Sequence, residues 1–132
     1  MKRKHILAIC IIVVIAAAFS LAGYRLHDIN KLQEFKESAV TLATNVPNYN
    51  LVGSREYETD GRICIGYYVI IDPGATDEQL YKIFYRICND EYYLHTMWAY
   101  SSQQNMNAST YDIAMLTETD RSKWPEIKRP DN

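Results

Sequence analysis

The chain has 132 residues, 23% of them charged and 48% hydrophobic, with a formal net charge of −2. That is an ordinary globular composition with room for one domain and no mark of disorder. Lys2, Arg3 and Lys4 precede every acid, so the part after Gly23 carries 11 basic residues against 16 acidic ones, a net −5. A nucleic-acid surface needs the opposite sign, which sets DNA and RNA aside as partners.

From Ile6 to Ala22 the chain holds no charge, proline or glycine. Extended through Tyr24, the run is long enough as a helix, roughly 28 Å at about 1.5 Å per residue, to cross a bilayer core of about 30 Å. The basic cluster stands on one side only, so the N-terminus is expected in the cytoplasm and everything after Tyr24 outside it. Residues 1–24 therefore read as a single-pass signal anchor, with membrane contact through residues 6–24. The small residues of Ser20-Leu21-Ala22 also offer a cleavage point before Gly23, which would leave a secreted domain. Leu21-Ala22-Gly23 resembles the run ahead of the lipidated cysteine in bacterial lipoprotein signals. Here Tyr24 follows, which has no thiol to acylate, and Cys10 lies in mid-segment.

Leu26, Ile29, Leu32, Phe35, Ala39 and Leu42 recur at spacings of three and four, with Lys31, Glu34, Lys36 and Glu37 between them. This predicts an amphipathic juxtamembrane helix within residues 25–46, ended by Pro47. The domain proper is expected over residues 47–119. Tyr49–Glu58 and Arg62–Ile71 are β-rich runs around Asp60-Gly61, a hairpin signal. Thr76 with Gln79 three residues on forms a capping box, Asp77 and Glu78 suit the positive end of a helix dipole, and Leu80, Ile83, Phe84 and Ile87 share one face. Tyr92–Tyr100 reads as a third strand. Ser101–Ser109 follows as a polar loop or short helix, and Tyr111–Glu118 as a fourth strand. Residues 120–132, with Pro125 and Pro130, show no periodicity and read as a loosely structured tail. The expected fold is α+β, a mixed sheet in the order β-β-α-β-β. Its second and third strands should be parallel across the helix, adjacent or one strand apart.

Cys64 and Cys88 are an even pair in a domain expected outside the cytoplasm, which admits a disulfide; strand alternation sets Cys64 apart from the better core face, which favours two buried thiols. His95 with Cys64 or Asp112 has the residue types of a nucleophile, a base and an orienting acid, the minority reading of a small exported enzyme. No spacing of a catalytic, phosphate-cradling or metal-binding motif supports it, and no cofactor is expected. Tyrosine is the compositional outlier, at 11 residues. Both faces of the central strands are apolar, while one helix covers only one face. Tyr93, His95, Trp98 and Tyr100 are therefore the candidate interaction patch, open to an envelope protein or to a second copy of the chain unless the juxtamembrane helix covers it.

A long apolar helix leading into an amphipathic one and a small α/β head resembles the layout of type IV pilins and pseudopilins, which implies an envelope assembly subunit. The resemblance is of layout over the first 45 residues. No Gly-Phe processing site precedes the apolar run and no glutamate opens it. The leading expectation is a bacterial-type cell-envelope protein, anchored by its N-terminal helix, whose extracytoplasmic domain acts by binding rather than catalysis.

Overall fold

The structure, a computed structural model, describes residues 2–41, 46–89, 91–108 and 111–131. It is α+β: one long N-terminal helix and a five-stranded mixed sheet. The chain divides into two compact units, Met1–Glu34 and Phe35–Asn132.

Helix α1 spans Lys2–Thr41. Ala, Leu and Ile dominate its first half, and no proline interrupts it. It runs unbroken through Gly23-Tyr24-Arg25, so the expected boundary at residue 24 leaves no mark on the backbone. In the first unit Ile12, Val14, Phe19 and Leu21 are exposed, and the apolar stretch, with mean hydropathy reaching 2.2, is long enough to cross a membrane. A signal sequence has the same character. The amphipathic pattern is realised in part: Leu26 and Ile29 are exposed, whereas Ala39 is fully buried in the second unit. Leu42 and Ser109, the expected ends of two segments, lie outside the described residues.

In the second unit β1 (Tyr49–Thr59) pairs antiparallel with β2 (Arg62–Ile71). The turn between them places Asp60 at φ 54° and Gly61 at φ 72°. Two successive left-handed residues are what a two-residue hairpin turn matched to strand twist requires, and Asp-Gly supplies them at low cost. After the Asp72-Pro73-Gly74 turn, α2 (Asp77–Ile87) opens with the expected capping box. Thr76 Oγ1 accepts from the Gln79 N–H at 3.3 Å, and Gln79 Oε1 accepts from the Thr76 N–H at 2.9 Å. β3 (His95–Tyr100) returns parallel to β2 and directly beside it. A short helix, α3 (Gln103–Asn107), leads to β4 (Ala114–Thr117), antiparallel to β3.

The expectation of a loosely structured tail over residues 120–132 is corrected by a fifth strand, β5 (Glu126–Lys128), which pairs antiparallel with β4 and completes the order β1-β2-β3-β4-β5. Three residues between prolines carry no pattern of their own; the β4 edge supplies the pairing. Trp124 and Pro125 reinforce it. Trp124 packs on Phe35 and Tyr81 with ring centroids 4.9 and 5.0 Å apart, and the Tyr81 hydroxyl donates to the Pro125 carbonyl at 3.3 Å.

Helix α2 covers one sheet face. Leu80, Ile83 and Phe84 are fully buried against Val69, Met97, Ala99 and Leu116 from the three inner strands. The last turns of α1 join this side of the unit, since Phe35 packs edge-on to Tyr85 and Arg86 Nε donates to the Ala39 carbonyl at 2.7 Å. The amphipathic stretch from Phe35 onward is thus spent on the α2 side and leaves the opposite sheet face without it.

Candidate functional site

That opposite face is built by alternation. Tyr68 on β2 is registered with Trp98 on β3, which is registered with Met115 on β4, and Arg55 on β1 with Gly66 on β2, so these side chains share one side. Tyr68, Trp98 and Met115 are half-buried. The Tyr68 and Trp98 rings stack with centroids 5.1 Å apart and planes 18° from parallel. Nearby, the Tyr57 hydroxyl reaches across β2 to Thr96 Oγ1 at 3.0 Å. A groove of about 560 Å³ opens here, lined by Arg55, Tyr68, Trp98, Tyr100, Met106 and Tyr111.

One wall is held by Asp112. Its carboxylate accepts from the Ser101 hydroxyl, from the Ser101 N–H at 2.9 Å and from Asn105 Nδ2 at 2.8 Å. Partial burial works to raise its pKa, but these bonds outweigh burial and hold the carboxyl below the usual aspartate range. Ser102 caps α3 by accepting from the Asn105 N–H at 3.2 Å, which fixes the turn that presents Met106. On the floor, burial, with the fields of Tyr68 and Asp112, pushes the Tyr100 phenol up, so it stays neutral at physiological pH.

The expected patch is therefore divided. Trp98 is half-buried in the groove, and Tyr100 lines it although only 4% exposed. Tyr93 precedes β3, outside the groove lining, and stacks under the Arg62 guanidinium at 4.3 Å. His95 is 1% exposed and faces α2, so it presents no surface. The groove's other half, Arg55, Tyr68, Met106 and Tyr111, escaped the reading of the sequence. The period of two through Tyr68 and Trp98 was its available signal, since Tyr68 falls in the strand set opposite Tyr67 and Val69.

Cys64, His95 and Asp112 do not converge. Cys64 shares the open side, where it is registered with Tyr57 and fully buried; His95 lies on the α2 side; Asp112 is exposed at the α3 end. Cys64 and Cys88 are free thiols, set on opposite sides of the sheet. Cys88 caps the end of α2, where burial and the negative field of Glu118 push its thiol far up, against weaker opposing fields from Arg121 and Lys36. A thiol so placed is a poor nucleophile.

The partner of His95 is Glu118. Glu118 Oε2 lies 2.7 Å from His95 Nδ1 and accepts the His95 backbone N–H at 3.1 Å, while His95 Nε2 lies 2.7 Å from the Asn89 carbonyl. Because a carbonyl only accepts, Nε2 is the donor to Asn89, and Nδ1 is engaged by the Glu118 carboxyl group. Neither nitrogen is left to serve a substrate. Tyr67 stacks on this ring at 8° between planes, and burial, followed by the fields of Cys88, Tyr92 and Glu91, pushes its phenol up to about 12. The cluster ties the turn after α2 to β4 and is structural in geometry. Among the described residues, no three His, Cys, Asp or Glu side chains converge on a metal position.

Comparison with known protein families, with curated proteins and with solved structures finds no match for this chain.

Proposed function

We propose that this protein is a membrane-anchored binding module. The N-terminal helix spans the membrane with Lys2, Arg3 and Lys4 on the cytoplasmic side, and the sheet domain is displayed outside it, in a bacterial-type cell envelope. The open sheet face is the working surface, and the protein acts by docking a ligand or partner there rather than by catalysis.

One observation carries the reading: the stacked, half-exposed Tyr68 and Trp98 rings lie on a sheet face opposite the one α2 covers. Large aromatic rings left partly in water are well suited to recognition, since they bury much area at small cost in side-chain entropy. The anchor rests on the length and composition of α1, together with basic residues on one flank only.

Three measurements test it. Alkaline extraction of membranes should leave the full chain in the pellet, and protease added outside should digest the 35–132 unit while sparing the N-terminus; release of the chain by alkali removes the anchor. Ligand-observed NMR on the full chain in lipid nanodiscs, screened against small aromatic, sugar and peptide fragments, should give hits that Trp98→Ala and Tyr68→Ala abolish without lowering the melting temperature by more than a few degrees. Hits indifferent to both substitutions would sink the open-face reading.

A further inference from the structure

Resting on the open face as the binding surface, we propose that its groove takes a small ring-bearing anion, a planar ring carrying a carboxylate or a phosphate. The walls set the ring. Tyr68, Trp98, Tyr100 and Tyr111 offer aromatic faces and edges, and Met106 a polarisable sulfur, all of which favour a flat, unsaturated partner over a branched aliphatic one. About 560 Å³ is the size of a small-molecule site rather than of a cleft for a folded partner.

The charge sets the acid. Among the described residues, Arg55 is the one charged residue in the lining, it is exposed, and its guanidinium has no hydrogen bond or ion pair. The acids that could neutralise it are directed elsewhere. Glu56 and Glu58 alternate to the other side of β1, where Glu56 accepts from the Tyr92 hydroxyl at 2.6 Å, and the Asp112 carboxylate is taken up by Ser101 and Asn105. A lone cation at an aromatic groove, on a unit otherwise rich in acids, is complementary to an anion. A guanidinium meets a carboxylate or phosphate through paired N–H donors.

The test uses matched probes that differ in charge alone. Indole-3-acetate and indole-3-acetamide, and phenyl phosphate with phenol, are titrated by equilibrium dialysis against the full chain in nanodiscs, with empty nanodiscs as the blank. One anion of the two, at least, should bind about tenfold or more tightly than its neutral counterpart. Arg55→Ala, a surface change, should erase that gap with the melting temperature unchanged, Arg55→Lys should keep part of it, and Trp98→Ala should weaken acid and neutral probe together. The better anion identifies carboxylate or phosphate as the preferred group. Equal binding of acid and neutral probe with no effect of Arg55→Ala overturns the anion while leaving the open-face reading intact. Absence of binding by all four at millimolar concentration overturns the ligand class, and binding unaffected by Trp98→Ala overturns the open-face reading along with it.

Discussion

Trp98 lies across the backbone of Gly66: a Cβ built on residue 66 would stand 2.1 Å from Cζ3 and 2.5 Å from Cη2 of the indole. The φ of Gly66 is not in the left-handed region, so glycine is required for space rather than conformation. Tyr68 stacks on the same indole and restricts its retreat. Gly66→Ala should destabilise the domain by about 1–3 kcal/mol, the usual cost of overpacking. It should also shift tryptophan emission and weaken any ligand held at the groove. The control is non-additivity: in the Trp98→Ala background the extra methyl has no indole to meet, so the double variant should be less destabilised than the two singles together. Strict additivity in thermal unfolding would mean the contact is not the cause.

The buried pair gives a second expectation. His95 and Glu118 are 1% and 4% exposed, and Glu118→Ala leaves both the His95 ring and its backbone N–H without their acceptor. Breaking a buried pair from one side costs about 3–5 kcal/mol. Glu118→Gln keeps an acceptor oxygen and should cost distinctly less. Denaturant unfolding of the full chain measures both, and equal losses would show that the acceptor oxygen kept by glutamine contributes nothing to the pair.

Cysteine chemistry follows from where the thiols sit. Cys64 is fully buried, and burial pushes the Cys88 thiol far up, so in the folded domain at pH 8 neither should be alkylated on the timescale of a free thiol. Denatured without reductant, the chain should take up three alkyl groups, at Cys10, Cys64 and Cys88, by intact mass. Uptake of one would reveal a Cys64 to Cys88 bridge, which their placement on opposite sides of the sheet opposes.

These relationships also mark what could be read from the chain. The hairpin turn, the β2 limits and the capping box were legible because each is set by neighbours in sequence: Asp60 with Gly61, or Thr76 with Gln79. The long apolar helix was legible from composition. What escaped depends on distant partners. Glu118 stands 23 residues from His95, and nothing local distinguishes it from a solvated strand-end acid. β5 exists through the β4 edge rather than through its own pattern. The candidate patch was half legible: alternation along β3 sets Trp98 and Tyr100 on one face and His95 on the other, but which face α2 covers depends on packing between elements far apart in sequence.

Alkaline pH should weaken the domain through Tyr67. Its phenol is raised from about 10 to about 12 in the folded state, so the unfolded chain releases that proton first. The stabilisation is fully present below about pH 10 and is lost as pH rises toward about 12. Tyr85 and Tyr81, also raised first by burial, act in the same direction. Unfolding midpoints should therefore fall between pH 10 and pH 12, and Tyr67→Phe should flatten part of that fall. A Phe variant with the same slope as the parent would assign the loss to other tyrosines.

Phe35 carries the last expectation, because it marks where the domain begins. Its ring meets Tyr81, Tyr85 and Trp124 with centroids 6.4, 6.2 and 4.9 Å away, and one turn later the Ala39 carbonyl receives Arg86. Lys36 adds its ammonium 5.1 Å above the Tyr85 ring and donates to the Arg121 carbonyl at 3.0 Å. A truncation that starts at residue 46, where the amphipathic stretch was expected to end, strips these contacts and bares the outer side of α2, whereas one that starts at residue 35 retains them. The longer form should be the more stable. Because Phe35 is half-buried, Phe35→Ala in the full chain should cost about 2 kcal/mol, below the 3–5 typical of a fully buried phenylalanine. That corresponds to a drop of about 10 °C in melting temperature for a domain of this size. Equal melting temperatures for truncations starting at 35 and 46, with Phe35→Ala silent, would place the domain boundary beyond the helix and make its last turns a tether alone.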